Sequence, residues 1–435
     1  MLESVNHSGL KGRAGRVFML VLILPMVFTE FKRFPILSAL QDVWWVLSLL
    51  YLIFVYPSWT TRPFKGVSRF EWYVIAIIIL VPAVSSLSAW MVFGQPILWG
   101  FVATRSIAGL ASVLFMIRAV KRRYFTLAEI ESALLILAWG TLCCYTLMRI
   151  FLNPQEYLAY PGFAGLSGDG YGFTFARYCI TFGFFYYMFR GFRTGRRVYY
   201  VIAMILIIGS LSGGSWRAES VVLLATIVIL FYRWSKLRNF VLQMAGISLS
   251  LILIVALAWR FMPEMAATAS GRFQDAITVM FTGNEVSDAS ANARIGESVI
   301  AVDGFLKHPV FGNGAVSNKW GGGSQSILGE YFYADDVGIL GILYSVGLFG
   351  IALYGWQLVY LLRALKKLPQ GFSTPLMDGA KGVLLSNILI TLTSPALMED
   401  AGVTFFFIGL FYQMGRMPRL VEVEERLSEG FHPDG

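Results

Sequence analysis

Charged residues are scarce in this chain of 435 residues, in which they make up only 14% of the sequence. An average soluble domain contains about 25% charged residues. Hydrophobic residues make up 57%, and long apolar runs recur from one end of the chain to the other. The shortage of charge, together with these runs, excludes an ordinary soluble domain and predicts a polytopic membrane protein.

Cysteine and histidine are also rare, with three residues of each type. All the cysteines lie within apolar runs, where cysteine behaves as a small apolar residue rather than as part of a disulfide or zinc set. They are Cys143, Cys144 and Cys179. Two histidines lie in the terminal segments, so His308 is the only imidazole available to a site. We therefore expect no metal site and no cofactor.

Twelve apolar segments are long enough, or nearly so, to cross a bilayer. They cover 17–29, 40–57, 71–92, 96–117, 127–149, 171–189, 198–214, 217–232, 240–259, 337–362, 378–396 and 402–414. No low-complexity linker separates them. The sequence therefore predicts an all-α protein with about twelve transmembrane helices, which form a single transmembrane domain over 1–435.

Lysine and arginine cluster in alternate connections between these segments, and the net charge is +9. The positive-inside rule then assigns both termini to the cytoplasm. It assigns three connections to the opposite side, at 150–170, 211–217 and 260–336. The basic charge is thus explained by membrane topology and by contact with anionic lipid, and we expect no nucleic-acid partner.

Three arginines fall in or beside the apolar segments, where an ionisable residue is costly and indicates function. Arg105 is expected well inside the fourth segment, and Arg177 about two turns inside the sixth. Arg217 lies in the turn GSLSGGSWRAES at the outer end of two segments. Together they form a candidate anion site, because the guanidinium group binds two phosphate oxygens and stays charged. The alternatives are helix pairing for Arg105 and an interfacial charge for Arg177.

The connection 260–336 is long enough to form a loop subdomain with short helices. Its segment NARIGESVIAVDGFLKH has helical spacing of apolar residues and carries Arg294 in its first turn. His308 follows, and it is either a site residue or the cap of this helix before Pro309. Asp335 and Asp336 are candidates for a general base where the chain re-enters the membrane, or they cap the next helix.

Further candidates lie between these two motifs. Glu330 is a second acidic residue close to the aspartate pair. Four aromatic side chains either stack on sugar faces or pack within the loop, and these are Trp320, Tyr331, Phe332 and Tyr333.

The motifs occur in a fixed order, as SGGSWRAES, then ARIGESVIAVDGFLKHPVFGNG, then DDVGILGILYSVGLFG. This order resembles the bacterial O-antigen ligase and Wzy-type polysaccharide polymerase superfamily. The resemblance implies a GT-C-like, metal-independent, inverting glycosyltransferase at the outer face of the bacterial inner membrane. Its donor would be a glycan on undecaprenyl diphosphate. Arg217 and Arg294 match the diphosphate-binding arginines, and we add Arg177 and Arg105 as candidates.

One departure from the family pattern concerns the base that activates the acceptor hydroxyl. Members often have His-Asn or His-Ser where this chain has Asp335 and Asp336, so the base is one of these aspartates or His308. The missing histidine favours a polymerase of lipid-linked repeat units over an O-antigen ligase. The acceptor is then a second lipid-linked glycan, and a chain-length regulator is a further partner to consider. A lipid-linked glycan transporter and a non-catalytic assembly subunit are the alternatives outside this class.

Overall fold

The structure, a computed structural model, describes most of the chain between residues 9 and 415. The described residues are 9–28, 38–56, 68–151, 164–167, 170–173, 176–212, 222–229, 260, 271, 289–323, 326–327, 329, 332–368 and 374–415. The predicted segment 240–259 lies outside them, as do Arg217, Glu330 and Tyr331.

The described residues are mainly helical, as the sequence predicts. The helices are α1 (Gly9–Val27), α2 (Ser38–Leu50, extended by a π-helical turn Tyr51–Val55), α3 (Arg69–Phe93), α4 (Ile97–Ala103), α5 (Leu110–Lys121), α6 (Leu127–Phe151), α7 (Arg177–Thr194), α8 (Arg197–Ser212), α9 (222–229), α10 (Ala289–Lys307), α11 (Ile339–Lys366), α12 (Pro375–Ile390), α13 (Ala396–Glu399) and α14 (Ala401–Met414). Short 3-10 turns at Arg105–Gly109 and Ala334–Asp336 precede α5 and α11.

The described residues also include one short β-hairpin beside the helices. Strands β1 (Ala164–Ser167) and β2 (Gly170–Phe173) pair antiparallel, with Ser167 opposite Gly170. The hairpin lies largely in the predicted outer connection 150–170. Its glycine-rich sequence lacks helical periodicity, which is why the chain leaves the helical conformation there.

Three of the described helices are long and apolar enough to cross a membrane, namely α3, α6 and α11. A fourth candidate is the pair formed by α4 and Arg105–Lys121, which bends by 57° at its break. Shorter apolar helices cover Ala39–Val55, Arg197–Gly209 and Ala401–Met414. The described residues thus fit a helical membrane protein, and the count of twelve spans stays a prediction.

The two predicted segments that carry Arg105 and Arg177 are not single helices. The segment 96–117 is broken between α4 and α5, so Arg105 lies at a break rather than well inside a span. The Thr104 hydroxyl there bonds the Gly100 carbonyl, 3.0 Å away, where the helix ends. The segment 171–189 begins in β2, and its helix starts only at Arg177. Arg177 is therefore the first helical residue rather than two turns inside.

Helix α11 is interrupted at Gly347, whose φ of 63° departs from the helical region. In a continuous helix the N–H groups of Leu348 and Phe349 would bond the carbonyls of Tyr344 and Ser345. Instead they bond the carbonyls of Pro309 and Val310, at 2.9 and 3.0 Å.

The carbonyls of Tyr344 and Ser345 are also satisfied by the segment that follows His308. They accept the backbone N–H groups of Asn313 and Gly314, at 2.7 and 2.9 Å. The segment 309–314 therefore replaces part of the α11 hydrogen-bond ladder. This exchange satisfies backbone groups that would otherwise be unpaired at the break.

The same segment is held from its other side by α3. The N–H of Ala315 donates to the Ser85 hydroxyl at 2.9 Å, and the Ser88 hydroxyl donates to the Phe311 carbonyl at 3.3 Å. Gln95, just after α3, bonds the backbone of Ala315 and of Ser317. The HPVFGNG motif thus sits between α3 and α11, and its glycines serve close backbone packing.

Ion pairs join helix ends that the charge pattern places on the same side of the membrane. Three pairs join ends assigned to the cytoplasm, namely Arg16–Glu129, Arg118–Glu71 and Arg193–Asp378. Two join ends assigned to the outside, namely Arg105–Asp42 and Arg177–Asp400. The alternation therefore groups these ends correctly. Which group faces the cytoplasm stays a prediction.

We predict that Gly347→Ala destabilises the protein. A Cβ at this position would lie 2.5 Å from the Val310 carbonyl oxygen, and the residue keeps a positive φ. Backbone strain of this kind costs of the order of 1–3 kcal/mol. Thermal unfolding of the detergent-solubilised protein should show a midpoint lowered by several degrees.

The matched control is Gly355→Ala in the same helix, where nothing lies within 4 Å of the added Cβ. Alanine is favoured over glycine within a helix by roughly 0.5–1 kcal/mol, so this variant should be unchanged or slightly more stable. Equal midpoints for the two variants would contradict the backbone exchange at Gly347.

Candidate active site

The candidate site lies where the first half of α10 meets the turn Ala334–Asp336 that precedes α11. The Glu297 side chain is 4% exposed, and its carboxylate accepts the backbone N–H of Tyr333 at 3.1 Å. Arg294 lies one turn earlier on α10, in the second turn of the helix rather than the first. Residues three apart on a helix share a face, so Arg294 and Glu297 both lie beside the aspartate turn.

Apolar packing fixes the position of this turn. Phe332 is buried, and its ring packs edge-on against Tyr344 of α11, with centroids 4.8 Å apart. Gly341 brings the turn close to α11, because a Cβ there would overlap the Ala334 carbonyl oxygen. Phe332 is therefore a core residue, which fits the packing alternative. Tyr333 is half exposed and stays a candidate for sugar contact.

Burial and neighbouring charges shift the acidity of two carboxyl groups in the site. Burial raises the pKa of Glu297 to about 7, and the charge of Asp336 adds to this effect. The Tyr333 N–H and Arg294 oppose it. The pKa of Asp336 is also raised by the surrounding protein and by Asp335, while Arg294 opposes the rise. The site can therefore hold a proton near neutral pH, as a general acid or base must.

The aspartates do not cap α11, so that alternative is wrong. The N-cap of α11 is Gly338, with a φ of 56°, and no side chain bonds this helix end. Asp335 and Asp336 instead form the 3-10 turn, in which both are exposed to solvent. Their carboxylates remain available to a substrate.

His308 lies at the opposite end of α10 from the carboxylates. Its backbone N–H donates to the carbonyl of Gly304 at 3.1 Å, so His308 ends the helix, which is the capping alternative. Eleven residues separate it from Glu297, which at 1.5 Å per residue is about 16 Å along the helix. The structure therefore does not bring His308 together with the carboxylates that it was grouped with.

Arg105 and Arg177 each contact a carboxylate on another helix. Arg105 lies 3.1 Å from Asp42 and above the ring of Trp45, and both members of the ion pair are exposed. This ion pair with α2 fits the alternative in which Arg105 joins two helices.

Arg177 is largely buried and lies 3.9 Å from Asp400, which also accepts a hydrogen bond from the Tyr178 hydroxyl. A small cleft opens beside it, lined by Ser386 and Asn387 of α12. Arg105, Arg177 and Arg294 thus have different acidic neighbours. Their roles in substrate binding stay predictions, as does that of Arg217.

Glu297 is the site residue that sequence reasoning missed. It is an acidic residue on the face of α10 that carries Ala301 and Gly304, four and seven positions later, and all three are buried. An acidic residue among the apolar positions of a predicted amphipathic helix is visible in the sequence and could have identified Glu297. The aspartate pair and His308 are more familiar candidates for acid–base chemistry.

Among the residues that the structure describes, no three His, Cys, Asp or Glu side chains are grouped closely enough to hold a metal ion. A comparison with models of known protein families gives no match, and a comparison with curated proteins gives none either.

Proposed function

We propose that this chain polymerises oligosaccharide repeat units linked to undecaprenyl diphosphate into surface or exopolysaccharide. It would act as a metal-independent, inverting glycosyltransferase of the GT-C-like class at the outer face of the bacterial inner membrane. The observation that supports the proposal is one arginine beside carboxyl groups of raised pKa, positioned at the start of a membrane-crossing helix.

The chemistry assigns a role to each of these groups. An acceptor sugar hydroxyl attacks the anomeric carbon of the donor, and the bond from that carbon to the diphosphate oxygen breaks. Asp336 or Glu297 takes the proton of the hydroxyl. The leaving diphosphate gains negative charge, which Arg294 stabilises. The reaction is a substitution at carbon, so it needs no oxidant or reductant.

Glu297 and Asp336 divide the acid–base work in this proposal. Glu297 is buried and bonded to the backbone, so it tunes the site and stores a proton. Asp336 is exposed and accessible to a sugar hydroxyl. Because the charge of Asp336 raises the pKa of Glu297, a proton held by Glu297 is compatible with an ionised Asp336. Asp336 is therefore the better candidate for the base that touches the acceptor.

Two other functions use the same groups or the same membrane fold. An O-antigen ligase would perform the same reaction with a different acceptor. A transporter of lipid-linked glycan would instead need polar groups along a path through the bilayer. The concentration of raised-pKa carboxyls at one end of α11 favours an enzyme over a transporter.

We predict that Arg294→Ala and Asp336→Asn abolish polymer formation in a polymer-deficient host that the wild-type gene complements. Loss of a preorganised charge partner should lower the rate by about 10²-fold or more. Single lipid-linked repeat units should then accumulate on a gel, at unchanged membrane levels of the protein.

The matched controls lie on α10, the helix that carries Arg294, and their side chains are exposed. Lys307 and Asp303 form an exposed pair with each other, 2.6 Å apart. Lys307→Ala and Asp303→Asn should therefore make normal polymer. Long chains that are not transferred would indicate a ligase, and normal polymer from Arg294→Ala and Asp336→Asn would overturn the proposed site.

A second prediction concerns pH and the carboxyl of Glu297. Its pKa in the folded protein is about 7 against an ordinary value of 4.5. The folded state therefore binds more protons than the unfolded state between these values, and its stability falls as pH rises through this window. The full shift corresponds to about 3 kcal/mol.

Glu297→Gln keeps the acceptor for the Tyr333 N–H but removes the titration. Its unfolding midpoint should change less than that of the wild type between pH 5 and pH 8. Asp303→Asn should follow the wild type, because Asp303 is exposed. If Glu297→Gln and the wild type have parallel pH profiles, Glu297 does not titrate in this range.

A further inference from the structure

Helix α10 has an exposed apolar stripe, although it belongs to the connection 260–336, which the sequence predicts as a loop outside the membrane. Val299, Val302 and Leu306 follow each other at spacings of three and four residues, so they share one face. Val299 and Leu306 are 64% and 69% exposed. The stripe continues into Val310 and Phe311 after the helix, which are also exposed.

The opposite face of α10 is buried against the rest of the molecule. Glu297 and Ala301 are buried there, and Gly304 meets the ring of Tyr344, which a Cβ would approach to 2.5 Å. Asp303 and Lys307 lie beside the stripe and form an exposed ion pair. An apolar stripe bordered by charges, on a helix whose other face is packed, is typical of a helix in a membrane interface.

The position of this helix relative to the membrane follows from two spans independently. The segment after α10 bonds α11 at Leu348 and Phe349, beside the break at Gly347. From Gly347 to Lys366, the last residue of α11, the rise is about 29 Å at 1.5 Å per residue. This length matches the hydrocarbon core of a bilayer, which is about 30 Å thick.

Helix α3 places Phe311 at the same depth in the bilayer as α11 does. Ser88 bonds the Phe311 carbonyl, and about 29 Å of helix separates Ser88 from Arg69 at the other end of α3. Trp90 and Met91 follow Ser88 and are exposed, and tryptophan is enriched at membrane interfaces. Both spans therefore put Phe311 at a boundary of the hydrocarbon core. The end of the stripe thus adjoins both candidate spans, and the Phe311 ring packs against Phe349 of α11, with centroids 5.8 Å apart.

We propose that α10 lies in the membrane interface, with Val299, Val302, Leu306, Val310 and Phe311 in contact with the lipid of the outer leaflet. The occupant of the stripe is lipid, because the stripe meets the lipid-facing surface of two spans at the boundary level. Asp303 and Lys307 then lie among the headgroups, and the buried face of the helix carries Glu297 at the level of the lipid surface.

Spin labels at single cysteines test this position in the full chain. The background variant replaces Cys143, Cys144 and Cys179 with alanine, and each label is introduced by Leu306→Cys, Phe311→Cys or Asp303→Cys. Ile79→Cys on α3 is the reference for lipid, since Ile79 is 58% exposed on a candidate span. All four positions are exposed, so a label there does not disturb the core. The proteins are reconstituted into vesicles of phosphatidylcholine and phosphatidylglycerol.

The measurement compares relaxation by oxygen, which concentrates in lipid, with relaxation by a water-soluble nickel chelate. Labels at Leu306 and Phe311 should lie between those at Ile79 and Asp303, with stronger relaxation by oxygen and several-fold weaker relaxation by nickel than at Asp303. Strong relaxation by nickel at Leu306 and Phe311 would place the stripe in water.

Weak relaxation by both reagents at those positions would show that protein covers the stripe. The cover would be another segment of this chain or a second copy, and spin–spin broadening that disappears on dilution with unlabelled protein would identify the copy. Each of these results overturns the proposal. None of them depends on enzymatic activity, so the test is independent of the proposed function.

Discussion

The exchange of backbone hydrogen bonds at Gly347 positions the outer half of this molecule. A break in an apolar helix leaves N–H and C=O groups without partners, and lipid offers none. Here the segment 309–314 supplies both donors and acceptors, in register with the ladder that it interrupts. Because this segment directly follows α10, the exchange ties that helix to α11. The meeting of Glu297 with the aspartate turn depends on this tie.

Glycine makes the exchange feasible at two points. Gly347 takes a positive φ, and a Cβ on Gly312 would come within 2.6 Å of the α11 backbone. Hydropathy and helical spacing describe side chains, so they predict the long apolar run of α11 correctly but contain no sign of its break. The sequence predicts the helix cap at His308 but not the packing of the glycines that follow it, because their partners lie on distant parts of the chain.

Local features of the sequence predicted local structure well. The periodicity of NARIGESVIAVDGFLKH predicts α10, and the charge pattern groups the helix ends that form ion pairs. Features that depend on a distant partner were missed. The acidic partners of Arg105 and Arg177 were not predicted, since neither Asp42 nor Asp400 is close to them in the sequence. Glu297 was missed for a similar reason, because its importance comes from Asp336 in a separate turn.

The interfacial position of α10 gives the candidate site a reason for its place in the fold. A helix that stood upright on the membrane would lift Glu297 about 16 Å above His308. The apolar stripe runs along the helix from Val299 to Leu306, so lipid contact over its whole length requires α10 to lie nearly flat. Arg294 and the carboxyls are then held near the headgroups, where the diphosphate of a lipid-linked glycan also lies. An amphipathic helix fixed to α11 at its far end, together with the aspartate turn that packs on α11, thus sets the height of the proposed chemistry.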